Sequence, residues 1–291
     1  MASLSHEEVR ELALLYRQTA ADLSTTREDP TAGELTRHLN ELLARSHNLV
    51  YAGAARSRPS GVLEFILDGF PDTFRRTLVY SLTALALFLA GAAAGLLMAA
   101  SDPGFERFIL NGDMMDTIER REMWTHRIVS VKPYASSAIM TNNIGVALTA
   151  CASGMLAGLG PVYMMLFNGL LIGVVGSACY RAGMSVALWS FVSPHGVLEL
   201  PAIFMAGGAG LLLAKGILFP GTLPRRDAIA AAARDAGRLM LGVVPILVIA
   251  GIIEGFISPT PTPAPAKFAI GASIFVLFAL YLSRGWRQRR P

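Results

Sequence analysis

The chain has 291 residues, 53% of them hydrophobic and only 16% charged, against roughly 25% charged in an ordinary soluble domain. Its formal net charge is +4, but the basic residues flank apolar runs and form no patch interleaved with aromatics, which argues against nucleic acid as a partner. The mean hydropathy of +0.48 and the clumping of apolar residues into long runs point to membrane spans rather than to one large soluble core.

Residues 1–60 read as a polar N-terminal helical segment without a cleavable signal pattern. Ser5 with Glu8 three residues on has the form of a capping box, and Val9, Leu12, Leu15, Tyr16 and Leu23 follow at helical spacing. A second amphipathic helix is expected to carry Leu35, Leu39, Leu42, Leu43 and Leu49 on one side. Together they predict a cytoplasmic helical hairpin whose apolar stripe must pack on itself, on the membrane or on a partner. Residues 61–77 are short, aromatic and amphipathic and end in Arg75 and Arg76, as an interfacial helix before the first span would.

The transmembrane domain is expected over 78–291, an all-α polytopic bundle of about six spans. They are Leu78–Ala100, Ser136–Leu159, Pro161–Tyr180, Pro194–Phe219, Leu239–Ile257 and Ala266–Leu282. Residues 184–192 are too short to cross and are expected as an interfacial helix or one arm of a re-entrant hairpin. In the 101–135 loop, Ile118, Met123 and Trp124 suggest either an amphipathic helix on the outer face or a solvated loop with one helical segment.

Positive residues set the orientation. Arg75 and Arg76, then Lys215, Arg225, Arg226, Arg234 and Arg238, then the closing SRGWRQRRP, all fall on one side of a six-span chain. That side is the cytoplasm, so both termini are expected there. The 101–135 loop falls outside; its five Lys/Arg against six Asp/Glu give no competing signal.

Glycines four apart (Gly91 and Gly95, Gly154 and Gly158, Gly169 and Gly173, Gly251 and Gly255) predict close helix packing, within the chain or in a homodimer. Ionisable and amide residues inside spans are costly and face an interior. In the six-span order Asn142, Asn143, His195, Glu199 and Glu254 all fall in the outer half of the membrane, with Asn168 near the middle. Ser193 is the natural N-cap and Pro194 the first helical residue of the fourth span, which places His195 and Glu199 on one face, one turn apart. The cluster reads either as a structural lock between helices or as a site for a proton, ion or substrate. No metal is expected: zinc sites usually use three or four protein ligands, and one histidine with two glutamates qualifies in principle, but nothing else in the sequence supports one. Cys151 and Cys179 are isolated in apolar runs. There is no nucleophile elbow, HExxH or phosphate-cradling loop, so no catalytic residue and no cofactor is expected.

The stretches TNNIGVALTACASGMLAGLGPVYMMLFNGLLIG (141–173), WSFVSPHGVLELPAIFMAGGAGL (189–211) and IIEGFISP (252–259) resemble the stage II sporulation protein M family of integral membrane proteins. The N-terminal LALLYRQTAADL and LNELLARSHNLVY are similar to that family's cytoplasmic helices. Asn142, Asn143, His195, Gly196, Glu199, Glu254, Gly255 and Phe256 match its recurrent positions by residue type. The resemblance implies a membrane scaffold or anchor that works with cell-envelope, peptidoglycan-remodelling partners. The alanine-, arginine- and glycine-rich composition fits a high-GC genome and argues against sporulation itself. A transporter or channel using the outer polar cluster is the alternative.

Overall fold

The computed structural model describes residues 6–26, 32–55, 61–122 and 132–284, which are helical with no strand among them. The chain divides into two compact units, residues 1–63 and 64–291. The first contains α1 (His6–Thr26) and α2 (Gly33–Ala55), with the Thr36 hydroxyl 3.3 Å from the Thr26 carbonyl. Leu23 is buried, but Leu14, Leu15, Leu35 and Leu42 are exposed, so much of the expected leucine stripe is uncovered. Ser5, the expected cap, lies outside the described residues.

In the second unit, a π-helical turn at Phe65–Gly69 leads into α3 (Phe70–Arg76) where a single interfacial helix is expected. Then follow α4 (Leu78–Ser101), the short α5 (Pro103–Ile109) and α6 (Gly112–Glu119), α7 (Lys132–Ala152) and α8 (Leu159–Arg181). The chain ends in α9 (Ser185–Leu218), α10 (Arg225–Phe256) and α11 (Ala264–Leu282). Among the described residues, α4, α8, α9, α10 and α11 are the five helices long and apolar enough to cross a membrane. The remaining expected span is α7. It has 21 residues, about 31 Å at the α-helical rise, but it is not among those five, and it carries an asparagine pair and several hydroxyl residues.

Three boundaries differ from the sequence expectation. First, α9 is continuous from Ser185 across Pro194 and Pro201, with Met184 at its N-cap, so 184–192 is neither a separate interfacial helix nor a re-entrant arm. Ser193 is accordingly inside the helix and not its cap. A proline removes one backbone donor, which normally marks a helix boundary. In a bundle, neighbouring helices support the two weakened turns. Second, Gly158 lies outside a span, at φ 86° in the turn between α7 and α8, a left-handed conformation that suits glycine, and it still packs on α9, where a Cβ would lie 3.0 Å from that of Ala214. Third, α10 begins at Arg225, so the basic connection is itself helical.

Glycine allows backbone-to-backbone contact between α4 and α8. A Cβ at Gly91 would lie 2.1 Å from the Leu166 carbonyl oxygen, and one at Gly95 2.3 Å from that of Leu170. From the other side, a Cβ at Gly169 would lie 2.0 Å from the Phe88 oxygen, and one at Gly173 2.2 Å from that of Ala92. Residue numbers rise together along the seam, so α4 and α8 are parallel and α7 returns the chain between them. The same device joins α7 to α9, where a Cβ at Gly210 would lie 2.3 Å from the Ala150 oxygen, and one at Gly154, in the turn after α7, 2.1 Å from the Gly210 oxygen. Inside lipid, such close packing replaces the hydrophobic effect as the glue. These glycines are therefore engaged within the chain.

Contacts sort the helix ends into two groups. At one end, Arg181 donates to the Ala99 carbonyl (3.0 Å) and pairs with Glu106, which is fully buried. There Ile118 and Met115 of α6 pack in a core with Val174, Leu188 and Phe191. Of the residues expected on an amphipathic helix of this loop, α6 holds Ile118, while Met123 and Trp124 lie outside the described residues. At the opposite end, Arg75 donates to the Arg284 carbonyl, the Tyr281 hydroxyl donates to the Ile66 carbonyl (2.5 Å), and Arg76 pairs with Asp235 at 3.2 Å. Phe70 anchors α3 there: a Cβ on Gly242 would lie 2.0 Å from its ring.

Candidate functional site

The site lies at the Arg181 end and is built from two helices and the turn after the second. Ser193 on α9 touches α11, because a Cβ on Gly271 would lie 2.3 Å from the Ser193 hydroxyl. His195 is two residues on, about 200° further round the helix, and so faces away from α11 toward α10. Glu199 follows one turn later on the same face. On α10, Gly251 abuts Met140 of α7, where a Cβ would sit 2.7 Å from the Met140 Cβ. Glu254 comes three residues after this contact.

This packing gathers three side chains. One nitrogen of His195 and one oxygen each of Glu199 and Glu254 lie within 4.8 Å of one another. His195 and Glu254 are buried, at 5% and 8% exposure, and Glu199 is partly buried. The His195 Nε2 is 3.9 Å from Glu254 Oε1, close enough for an ion pair if the imidazole is charged but too long for a hydrogen bond. Glu254 Oε2 is buried and has no hydrogen-bond partner. The ring of His195 is held on two sides. Its Nδ1 is 2.9 Å from the Ser258 hydroxyl, and Phe191 packs edge-on at 5.5 Å between centroids. Ser258 is fully buried, and its carbonyl accepts from the Lys267 ammonium at 2.6 Å. The loop after α10 is thereby tied to the first turn of α11.

Of the five residues expected to cluster, the structure brings together His195, Glu199 and Glu254. Asn142 is exposed and Asn143 partly buried, and the amide of Asn142 donates to Asn143 over 3.4 Å. No hydrogen bond or ion pair among the described residues links this pair to the other three. Shared depth along a helix leaves the direction around it open. Met140 faces α10, and Asn142 is about 200° round from it. Asn168 folds back on its own helix, donating to the Met164 carbonyl at 2.8 Å.

Sequence reasoning missed Ser258 and Lys267 as parts of the site, and Glu106 as a buried charge. Ser258 had a visible signal, since it stands four residues after Glu254. Lys267 is a lone cation at the head of an apolar helix. Glu106 had none, being one of several acids in a charged loop. Of the other matched positions, Gly196 and Gly255 are buried and Phe256 is exposed.

No solved structure matches the chain. Residues 1–52 match the model of a domain of unknown function. Two proteins of Methanocaldococcus jannaschii described as uncharacterised are 27% and 24% identical over 124 residues, 42% of this chain. The matches span 70% of the first relative and 54%, about half, of the second. The model of stage II sporulation protein M matches residues 84–259, a stretch that holds His195, Glu199, Glu254 and Ser258. This multi-pass membrane protein belongs to the stage II sporulation protein M family.

Proposed function

We propose that the protein is a scaffold or anchor in the bacterial inner membrane that holds peptidoglycan-remodelling partners and does no chemistry of its own. The observation that carries this reading is uncovered apolar surface outside the spans. On α1 and α2, Leu14, Leu15, Leu35 and Leu42 are exposed, and on the short α5 Phe108 is 82% exposed. Burying a large apolar side chain is worth about 1.5–3 kcal/mol, so such surfaces favour a partner or the membrane face. Arg75, Arg76, Arg225, Arg226, Arg234, Arg238 and Arg284 lie toward the end opposite His195, which favours that end as cytoplasmic. Both termini would then be inside and Phe108 outside.

Photo-crosslinkers placed at Phe108 and at Leu42 in living cells test the proposal. Adducts with peptidoglycan-remodelling enzymes at Phe108 are the expected result. Adducts with lipid or with the same chain alone, at both positions, count against it.

A transporter or channel is the second reading, favoured by the buried triad near one membrane face. Against a continuous path, the middle of α9 from Ala202 to Gly210 is apolar and almost wholly buried. A Glu254→Gln variant that abolishes a flux in proteoliposomes, while eluting like the parent, would favour transport.

A further inference from the structure

We propose that His195, Glu199 and Glu254 form a binding site for one divalent transition-metal ion of the zinc type, clamping α9 to α10. Metal binding is independent of whether the protein is a scaffold. The donor set is one imidazole nitrogen and two carboxylate oxygens, drawn from two helices and converging within 4.8 Å. Two ligands of a tetrahedral zinc ion are about 3.3 Å apart, given metal–ligand bonds near 2.0–2.1 Å. A small inward movement of the two flexible glutamate side chains closes the present spacing to that value.

Three further observations point to a ligand. Glu254 Oε2 is buried without a hydrogen-bond partner, on a residue more than nine-tenths buried. A buried carboxylate oxygen without a donor is costly, and a cation would satisfy it. The 3.9 Å between His195 Nε2 and Glu254 Oε1 is too long for a direct hydrogen bond but fits two donors facing a shared ion. Finally, the Ser258 hydroxyl lies 2.9 Å from Nδ1 and can accept from Nδ1–H, and in that tautomer the Nε2 lone pair is on the side of Glu254. Metal-binding histidines are held this way by a group on their other nitrogen. Phe191 fixes the ring plane, and Lys267 holds the Ser258 loop through its backbone.

The imidazole selects for zinc-type ions over calcium and magnesium, which take oxygen ligands. Two carboxylates neutralise the dication in a region where unbalanced charge is expensive. Three protein ligands leave a fourth position for water.

The test uses the full chain in detergent, tag removed and stripped with a chelator, then dialysed separately against Zn2+, Mn2+ and Ca2+. Zinc retained at one ion per chain, with an X-ray absorption spectrum showing one imidazole and oxygen ligands, supports the proposal. Glu254→Gln should weaken zinc at least about 100-fold, and Ser258→Ala about 10-fold through the orientation of His195. If Glu254→Gln does not elute as folded protein, Co2+ in the parent substitutes as the readout, with visible bands of a four-coordinate site expected. Zinc retention equal in the parent and in a Glu199→Gln/Glu254→Gln protein overturns the site. So does failure to retain zinc, or retention of Ca2+ alone.

Discussion

The seam between α4 and α8 and the head of α9 and α10 solve the same problem, joining two helices in lipid, in opposite ways. At the seam, Gly91, Gly95, Gly169 and Gly173 bring backbones into contact with no polar side chain between them. At the head, long polar side chains fill the space between helices, and one carboxylate oxygen is left without a donor. Van der Waals packing alone is enough to join helices in a membrane. The polar head is therefore more than the bundle needs for cohesion, and its orphaned oxygen is what the proposed ion would satisfy.

Substitutions can break or sharpen this contrast. The largest effect is expected at the seam. Gly169→Leu puts side-chain atoms where the Phe88 carbonyl lies, with no flexible neighbour to yield, so the bundle should lose its fold. Loss of the monodisperse peak on gel filtration in detergent is the readout. Next comes Arg181→Ala, which leaves Glu106 buried without its cation and should cost about 3–5 kcal/mol, measured by thermal unfolding in detergent.

The informative sign is at the head. Glu254→Gln in metal-free protein keeps the shape and replaces an unpartnered carboxylate by a neutral amide. It is expected to stabilise the protein by up to about 1 kcal/mol, by the same melting assay. A structural lock would instead lose stability. The smallest effect is expected at Asn142→Ala, whose exposed side chain serves only its neighbour, with a change within about 0.5 kcal/mol.

The sequence made the long apolar helices, the family resemblance and the polar triad legible, because hydropathy and residue type are local properties. The start of α9 was not legible. Ser193–Pro194 has the local chemistry of a helix beginning, and only the surrounding helices decide that the turn continues. Asn142 shows a related point: position along a helix fixes depth, but the neighbour at Met140 decides which way Asn142 faces. The seam glycines were visible as four-residue pairs, yet which helix each would meet depended on the parallel pairing of α4 with α8. Glu106 was hidden because burial of one acid among many depends on Arg181, 75 residues away in sequence.

The central claim is that His195, Glu199 and Glu254 are a built site and not a lock. Thermal unfolding of the parent and of Glu254→Gln, each stripped and each with zinc added, tests it most directly. Zinc should raise the melting temperature of the parent by several degrees, about 2–4 °C for each kcal/mol of binding free energy, and leave the variant unmoved. A parent indifferent to zinc, together with a variant that melts well below it, would contradict the account.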